Sequence, residues 1–428
     1  MGSLIPKTKE KRIIVIGGGF AGINFVQHMN FFPCQIVMID KKNYHTFQPL
    51  LYQVATAGLE ADSISYPLRG IFNNENFVFR IADVLEIYPD KKQINTTLGI
   101  MDYDYLVIAT GSKTNYFGNK RLEQNTWPMK SVPEALNLRS LLIQNFEDAL
   151  ISDSMEKRRA LMHYVIVGAG PTGVELAGAL AELKSKALRN DYPELELDEM
   201  EIWLAEAGPR VLGAMSQAAG DKAKEYLEKM GVKVMLNTKI DDYDGETLVY
   251  NGGERVKAST VIWAAGVAGN NIKGIDPSAI HRSGRILVDD YNEVVGHPDI
   301  YAIGDVSLMI TDLNPKGHPM LAQVAIQQGQ NLAKNFTRDT GQKTPFQYKD
   351  LGSMATIGKN RAVVDLPKWK FQGVFAWFVW MFVHLMSLIG FRNRFITFVN
   401  WFYSYFKYDK GIRLIIRPVQ RKLDKSEL

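Results

Sequence analysis

Two glycine-rich stretches carry the residues whose types and spacing point most clearly to chemistry. In the first, Gly17, Gly19 and Gly22 follow an apolar run in the G-x-G-x-x-G spacing. Glycine at these places permits a tight turn, close approach of the backbone to a pyrophosphate, and packing of a helix on a strand. The phosphates would sit at the positive helix N-terminus. Asp40 closes the next apolar run and could accept hydrogen bonds from a ribose, so this stretch predicts a dinucleotide site.

The second stretch repeats the first. The sequence YVIVGAGPTGVELA gives Gly168, Gly170 and Gly173 the same spacing, and Glu206 closes the strand that follows a charged insertion. Two such folds in one chain usually hold FAD and a nicotinamide nucleotide. Glu206 favours NADH over NADPH, because a carboxylate bonds a free 2′-hydroxyl and repels a 2′-phosphate.

Length and element order indicate how the two folds are arranged. A chain of 428 residues, 46% hydrophobic and 22% charged, predicts a globular protein of two or three domains. The second fold begins inside the chain, so the expected class is α/β, with two Rossmann-like domains, the second inserted in the first, and an amphipathic helical C-terminal region. The expected bounds are 1–125 and 275–360 for the FAD domain, 126–274 for the NADH domain and 361–428 for membrane anchoring.

Shorter segments should shape a site around the first fold. The strand YDYLVIATGSKT ends in small residues at Thr110 and Gly111, which would let the chain leave the sheet beside the nucleotide. Asp305 ends another strand and could bond a sugar-alcohol chain. Gln323 and Gln327 share one face of a predicted helix, where their amides could bond carbonyls or ring nitrogens.

Local patterns predict three connecting elements. Ser131 and Glu134 form a capping-box pattern that opens a helix to about Leu150. Residues 77–94 alternate and turn as a hairpin would. Pro49 interrupts a segment rich in aromatics and amides, which predicts a shaped loop.

The C-terminal region combines apolarity with positive charge. Residues 371–391 contain no Asp, Glu, Lys or Arg, and are enough to span a bilayer. Spanning is disfavoured because Trp377 and Trp380 lie mid-stretch and because nine basic residues, against three acidic ones, follow from residue 392. We therefore expect two helices in one leaflet, with His384 packed. The basic residues expected on anionic headgroups are Arg392, Arg394, Lys407 and Lys410.

Together these motifs resemble the type II NADH:quinone oxidoreductases, which are single-subunit, non-pumping respiratory dehydrogenases. The resemblance covers essentially the whole chain, up to HLMSLIGFRNRFITFVNWFYSYF. The glycine loops and the ATG and IGD turns alone would indicate only the flavoprotein disulfide-reductase superfamily. The segments PLLYQVATAGL, AQVAIQQG and GFRNR are far more specific.

The resemblance implies non-covalent FAD in the first fold, NADH as a substrate in the second, and a membrane quinone as acceptor. Residues matched to FAD contacts are Gly17, Gly19, Gly22, Asp40, Lys41, Val84, Asp305, Ala322 and Gln323. The ATG turn adds Thr110 and Gly111 as residues expected to bind the cofactor. Those matched to NADH contacts are Gly168, Gly170, Gly173 and Glu206. Gln323 and Gln327 would face the quinone headgroup. Glu175 matches a carboxylate that the family places between nicotinamide and flavin, where it assists charge or proton transfer.

The resemblance also implies a peripheral protein on the cytoplasmic face of the cell membrane. A homodimer is an expectation from the family alone, and neither a metal nor a nucleic acid is expected. Sulfide:quinone and disulfide reductases need redox cysteine pairs, which the single Cys34 cannot supply. A ferredoxin-type reductase has both nucleotide sites but lacks the apolar tail. A membrane-bound flavoprotein that senses NADH without turnover stays open as an alternative.

Overall fold

The computed structural model describes residues 5–29, 32–72, 76–312, 314–338, 340–407 and 413–415. The chain forms two compact units. Unit 1 consists of Met1–His45, Tyr66–Lys113 and Val267–Asp350, and unit 2 consists of Thr46–Ser65, Thr114–Gly266 and Leu351–Leu428. The domain bounds expected from the sequence were drawn according to the cofactor that each domain would bind, and they stay a prediction.

The strands are β1 Lys11–Ile16, β2 Cys34–Asp40, β3 Tyr44–Thr46, β4 Ser65–Pro67, β5 Phe77–Ile81, β6 Val84–Tyr88, β7 Gln93–Thr96, β8 Gly99–Asp102, β9 Tyr105–Ile108, β10 Ser112–Thr114, β11 Trp127–Pro128, β12 His163–Val167, β13 Glu201–Ala205, β14 Val232–Met235, β15 Ile240–Tyr243, β16 Thr247–Tyr250, β17 Glu254–Lys257, β18 Thr260–Trp263, β19 Val267–Gly269, β20 Ile286–Val288, β21 Glu293–Val294, β22 His297–Ala302, β23 Ser307–Met309, β24 Ser353–Thr356, β25 Ala362–Asp365 and β26 Lys370–Gln372. The helices are α1 Phe20–His28, α2 Leu51–Ala55, α3 Lys120–Asn125, α4 Val132–Leu150, α5 Met155–Leu161, α6 Pro171–Glu182, α7 Arg189–Asp191, α8 Gln217–Lys229, α9 Ala322–Phe336, α10 Val374–Ser387 and α11 Phe391–Lys407.

Unit 1 is built on a sheet in which the described residues contribute eight strands, in the order β23-β20-β21-β22-β9-β1-β2-β5. At its centre, β1 runs parallel to both β2 and β9. Strand β1 is buried from Ile13 to Ile16, as expected of a central parallel strand covered on both faces. Helix α1 packs against α9, where a Cβ added at Gly329 would overlap the carbonyl oxygen of Ala21. Glycine is therefore needed for this close helix contact.

Unit 2 repeats the arrangement. Within the described ranges, five parallel strands form its main sheet in the order β11-β18-β12-β13-β14, with β12 between β13 and β18 as β1 lies between β2 and β9. The charged insertion of the second fold continues α6 as a π-helical segment, Leu183–Leu188. The helix then continues to Asp191, and a 3-10 turn at Leu197–Glu199 follows before β13, which accounts for the longer interval to Glu206.

One of the antiparallel three-stranded sheets of unit 2, formed by β24, β25 and β26, contacts the first of the C-terminal helices. Its strands β24 and β25 form a hairpin whose register pairs Ser353 with Asp365, and β26 pairs with β25. Helix α10 packs on these strands. It ends at Ser387, and Gly390, at φ 83°, directly precedes α11. The expectation of two helices in this region is met.

The smaller predictions had mixed outcomes. Helix α4 begins with the predicted capping box at Ser131 and Glu134. The predicted hairpin over residues 77–94 is confirmed for its second part, where β6 and β7 pair antiparallel around the turn at Pro89, but its first part was wrong, because β5 pairs with β2. The loop around Pro49 was also wrong, since Pro49 lies in the first turn of a 3-10 segment that leads into α2, where proline is tolerated.

The second glycine loop offers a matched test of these packing constraints. A Cβ added at Gly173 would overlap the carbonyl oxygen of Gly168, whereas one added at Gly170 would meet nothing within 4 Å. We expect Gly173→Ala to destabilise the protein by about 1–3 kcal/mol, because overpacking forces the backbone apart. Gly170→Ala should leave stability without NADH unchanged. Melting temperatures of the two variants check this, and equal shifts would contradict it.

Candidate functional site

The first glycine loop has the geometry of a nucleotide cradle. Gly17 adopts φ 109°, and its N–H donates to the carbonyl of Ile39 at 2.8 Å. A Cβ at Gly22 would overlap the carbonyl oxygen of Gly17, so the helix lies directly on the turn. A Cβ at Gly19 would meet nothing within 4 Å, and α1 begins at the next residue. The open side of the loop thus faces the helix N-terminus, a place suited to binding a pyrophosphate.

The second loop reproduces this geometry in unit 2. Gly168 adopts φ 100°, and its N–H donates to the carbonyl of Ala205 at 2.8 Å. Gly173 is in tight contact with Gly168, and Gly170 faces open space directly before α6. Each loop therefore fits a dinucleotide by the same criteria.

The strand-end acid of the first fold holds its own loop. The Asp40 carboxylate accepts from the N–H of Gly18 at 2.6 Å and from that of Lys42 at 2.8 Å. Burial raises the pKa of Asp40, and these two donors oppose the rise. On the same loop, the ring Nδ1 of buried His45 lies 3.0 Å from the carbonyl of Gly18. Sequence reasoning missed His45, since nothing local pairs it with the loop.

Glu206 holds the second glycine loop in the way that Asp40 holds the first. Its carboxylate accepts from the N–H of Ala169 at 2.7 Å and from that of Gly208 at 2.7 Å. A carboxylate has about four acceptor positions, so each acid can hold its loop and still accept from a ribose.

The other unit 1 residues matched to FAD lie around these strand ends. The Thr110 hydroxyl donates to the carbonyl of Asn270 at 2.5 Å, and the Ser112 hydroxyl donates to Asp305 Oδ2 at 2.5 Å. The ammonium of Lys41 lies 3.4 Å from Asp83. Val84 begins β6, and Gly111 takes φ 69° in the ATG turn.

The amides of α9 have separate surroundings. Ala322 is its first residue, and Gln323 is partly buried one position later. The Gln327 amide donates to the carbonyl of Lys349 and accepts from its N–H, both at 2.9 Å. Buried Gln328 accepts from the N–H of Gly304 at 2.7 Å and so fastens the turn that carries Asp305. Gln328 was missed because its partner lies in a turn 24 positions away in the chain.

Glu175 is buried within unit 2. It lies in the first part of α6 and is only 6% exposed. Burial raises the pKa of Glu175 to about 8, while the N–H of Thr356, 3.4 Å away, and the indole of Trp380 act in the opposite direction. A buried carboxyl of this kind is largely protonated at neutral pH and can donate a proton.

Glu175 borders a cavity of about 110 Å³ that lies entirely within unit 2. The side chains that close it come from α2, α6, the β24–β25 hairpin, α10 and α11; among them are Tyr52, Gln53, Lys359, Trp380, Trp401 and Tyr405. The indole N–H of Trp401 donates to Gln53 Oε1 at 2.8 Å. The C-terminal helices therefore form one wall of the cavity around the buried carboxyl.

His384 is packed, as expected. Its ring stacks on Trp380 at a centroid distance of 4.1 Å, and its Nδ1 lies 2.8 Å from the carbonyl of Trp380. Burial lowers the pKa of His384 to about 4, so the ring is neutral at neutral pH. Cys34 is also buried, which raises the pKa of its thiol to about 11.

The outer sides of α10 and α11 form two aromatic faces. Large exposed side chains on α10 are Val374, Phe375, Phe378, Phe382 and Met386. Those on α11 are Phe391, Phe395, Phe398, Phe402 and Phe406. The opposite side of α11 is buried at Asn393, Thr397 and Trp401. The helix therefore has one exposed aromatic side and one buried side, and the buried side contributes Trp401 to the cavity wall.

The basic residues of the tail are only partly described. Arg392 lies 3.6 Å from Asp62 in an exposed pair, and Arg394 donates from Nε to the carbonyl of Leu388 at 2.8 Å. Lys410 lies outside the described residues, as does the side chain of Lys407. Among the helices that the structure describes, none combines the length and apolarity needed to cross a membrane. The described part of the chain holds no group of three His, Cys, Asp or Glu residues suited to a metal.

Comparisons with known proteins agree with this geometry. Residues 11–329 match the family described as pyridine nucleotide-disulphide oxidoreductase, and residues 351–407 match the NDH2 C-terminal domain. The chain is 36% identical over 422 residues to the type II NADH:quinone oxidoreductase NdhA of Mycobacterium tuberculosis, covering 94% of this chain and 88% of that protein. The chain belongs to the type II NADH:quinone oxidoreductases. A second member, Ndh of the same organism, is 31% identical and covers 94% of this chain and 90% of its own length.

Solved structures show the same fold. NDH2 of Plasmodium falciparum in complex with NADH superposes with a TM-score of 0.88 at 23% identity, covering 96% of this chain and 100% of that chain. The predicted family and fold class are thereby confirmed. The roles of individual residues in the type II site stay predictions.

The raised pKa of Glu175 predicts how the stability of the protein depends on pH. The pKa rises from an ordinary 4.5 to about 8, so the neutral carboxyl favours the folded state. This contribution is fully present below about pH 4.5 and is lost as the pH rises through about 8. Glu175→Gln cannot ionise. The melting temperature of the unaltered protein should therefore fall relative to that of Glu175→Gln between about pH 5 and 9.

The matched control is Glu156→Gln, which changes an exposed glutamate on α5. Its melting temperature should follow that of the unaltered protein across the same range. Parallel curves for all three proteins would show that Glu175 does not titrate as a buried group.

Proposed function

We propose that this chain oxidises NADH in unit 2 and delivers the two electrons to a membrane quinone through FAD held in unit 1. The observation that carries the proposal is the presence of two complete dinucleotide cradles, each with its own strand-end acid, in a member of the type II family. When bound, FAD accepts a hydride from NADH and passes two electrons to quinone. No step requires proton pumping.

The residue assignments follow from the cradles. Gly17, Gly19 and Gly22 would bring the backbone to the FAD pyrophosphate, and Asp40 would hold the loop and accept from the ribose. The further FAD contacts expected from the family are Lys41, Val84, Asp305, Ala322 and Gln323, and those expected from the strand-end turn are Thr110 and Gly111. In unit 2, Gly168, Gly170 and Gly173 would bind the NADH pyrophosphate and Glu206 its adenosine ribose. The carboxylate of Glu206 supports selection of NADH over NADPH.

Glu175 would hold a proton for quinone reduction. Its carboxyl has a pKa of about 8, close to the pH at which a side chain transfers protons most effectively. Reduction of a quinone to a quinol consumes two protons, so a buried neutral carboxyl beside a cavity is a suitable source. This role rests on burial, a hydrogen bond and a cavity as well as on the pKa.

The two glutamines of α9 would have different tasks. Gln323 remains the candidate for contact with the quinone headgroup. Gln327 has both ends of its amide bonded to the backbone of Lys349, and contact with a quinone would require breaking these bonds. We therefore assign Gln327 to positioning the residue 349 segment against α9.

The chain is a membrane-associated, peripheral enzyme, as its family is. We place it on the cytoplasmic face, with the aromatic faces of α10 and α11 in one leaflet and Arg392 and Arg394 toward anionic headgroups. Exposed phenylalanines on both helices support this arrangement, because a large apolar surface usually marks an interaction site. A homodimer stays an expectation from the family.

The direct test uses the purified protein loaded with FAD. NADH should bleach the flavin absorbance, and a short-chain ubiquinone or menaquinone analogue should restore it with continued NADH oxidation. Bleaching that no quinone reverses would contradict the proposal. Restoration by a ferredoxin instead would favour the ferredoxin-type reductase, and restoration by neither would favour an NADH sensor.

Membrane binding is tested on the aromatic face of α11. Phe402 and Phe406 are 58% and 70% exposed, so replacing both with serine should release the protein from vesicles with little effect on folding. Ile151→Ser, at an apolar position on unit 2 that is 81% exposed, is the control and should leave binding unchanged. Vesicle flotation checks both. Retained binding of Phe402→Ser/Phe406→Ser would place the membrane contact elsewhere.

A further inference from the structure

Unit 2 contains a second cavity, a cleft of about 530 Å³ beside the turn of the β24–β25 hairpin. It is formed by the end of α6 with its π-helical continuation, the end of α8, and the hairpin turn. Four cationic side chains line it: Lys186, Lys229, Lys359 and Arg361. We call it the basic cleft. Its volume is that of an ordinary small-ligand site.

The acidic groups near the basic cleft do not cancel its charge. Glu182 lines the cleft, but its Oε1 accepts from the backbone N–H of Lys359 at 2.5 Å. Glu225 pairs with Lys229 at 2.5 Å and with Lys222 at 2.8 Å. The four positive charges are therefore opposed by the negative charge of Glu182 and by part of the charge of Glu225, which is divided between Lys229 and Lys222. The excess of positive charge favours an anion.

The hairpin turn holds its cationic residues in place. Ile357 donates from its N–H to the carbonyl of Arg361 at 2.8 Å, and the hydroxyl of Thr356 donates to the same carbonyl at 3.1 Å. Two residues of the turn, Gly358 and Asn360, adopt φ 98° and 64°. A turn closed by these bonds presents Arg361 from a defined backbone, which lowers the entropy lost on binding an anion.

Lys359 connects the basic cleft with the aromatic face of α11. Its ammonium donates to the carbonyl of Tyr405 at 2.5 Å and lies 3.9 Å from the centroid of the Tyr405 ring. Tyr405 is in the last turn of α11, next to exposed Phe402 and Phe406. A cation at the edge of an apolar surface is typical of the boundary between acyl chains and phosphates.

We propose that the basic cleft binds the phosphate of an anionic phospholipid whose acyl chains lie along the aromatic face of α11. The inference rests on the proposed membrane association and adds a discrete headgroup site to it. Charge complementarity and continuity with the aromatic face support a lipid over a free phosphate. Guanidinium and ammonium groups together suit a phosphodiester, because Arg binds two of its oxygens and Lys supplies a mobile charge.

The probe is dihexanoylphosphatidylglycerol below its micelle-forming concentration, added to the full-length, FAD-loaded protein in a calorimeter. We expect saturable binding of one molecule per chain. Lys186→Gln/Arg361→Gln should weaken it by about tenfold or more, since each basic residue near a lipid surface contributes roughly fivefold. Lys157→Gln/Arg255→Gln removes the same charge from exposed sites on unit 2 and should leave binding unchanged.

Three outcomes would overturn the proposal. The control pair could weaken binding as much as the cleft pair, dihexanoylphosphatidylcholine could bind as tightly as the anionic lipid, or inorganic phosphate could do so. The last would mark a free-phosphate site. Arg361→Lys keeps the charge at the hairpin turn but loses the two-oxygen contact, so its binding should lie between that of the unaltered protein and that of the cleft pair, which provides a folded comparison if the double variant is unstable.

Quinone reduction in detergent separates this proposal from the proposed function. The cleft pair should keep full NADH:quinone activity, because neither residue belongs to the nucleotide or quinone machinery. A protein that binds the anionic lipid but reduces no quinone would refute the proposed function and leave the basic cleft intact. Full activity without lipid binding would refute only the headgroup site.

Discussion

One face of α6 must lie against the β24–β25 hairpin, and the position of the C-terminal helices on unit 2 depends on that contact. Glu175, Gly178 and Glu182 share this face at helical spacing. A Cβ added at Gly178 would lie 3.0 Å from the hairpin backbone, tighter than nearly all real contacts. On either side of the glycine, the two carboxyls accept from the N–H groups of Thr356 and Lys359. The helix that begins at the second glycine loop is thus fixed to the strands that receive the tail.

This contact explains why α10 and α11 affect the protonation of Glu175 as well as membrane binding. Trp380 of α10 and Trp401 of α11 close the cavity around Glu175, and their rings lie 5.8 Å apart. Burial by these helices removes water from the carboxyl, which is the main cause of its raised pKa. Lys359, on the same hairpin, touches both the cavity and the basic cleft. The β24–β25 hairpin therefore supports both the surface that would contact lipid and the Glu175 carboxyl that would hold a proton.

The sequence predicted those features that depend on neighbours close in the chain. Gly17 and Gly168 were found because a tight turn and helix packing impose the same local spacing on both loops, and the capping box of α4 is equally local. The pairing of β5 with β2, the bonds of Gln327 to Lys349 and the burial of Glu175 by Trp380 join distant segments, and no local pattern encodes such partners. Asp40 is an intermediate case. The sequence identified it as the strand-end acid, but it did not predict that its carboxylate accepts a hydrogen bond from the glycine loop.

Every function assigned to the cavity in unit 2 depends on Glu175 being a neutral, buried carboxyl beneath α10 and α11. Infrared titration of the FAD-loaded protein measures this directly, because protonated and ionised carboxyls absorb at different frequencies. We expect a protonated carboxyl band at neutral pH that is absent in Glu175→Gln and disappears as the pH rises through about 8. A carboxyl that is already ionised at neutral pH, with no band lost in Glu175→Gln, would contradict the account.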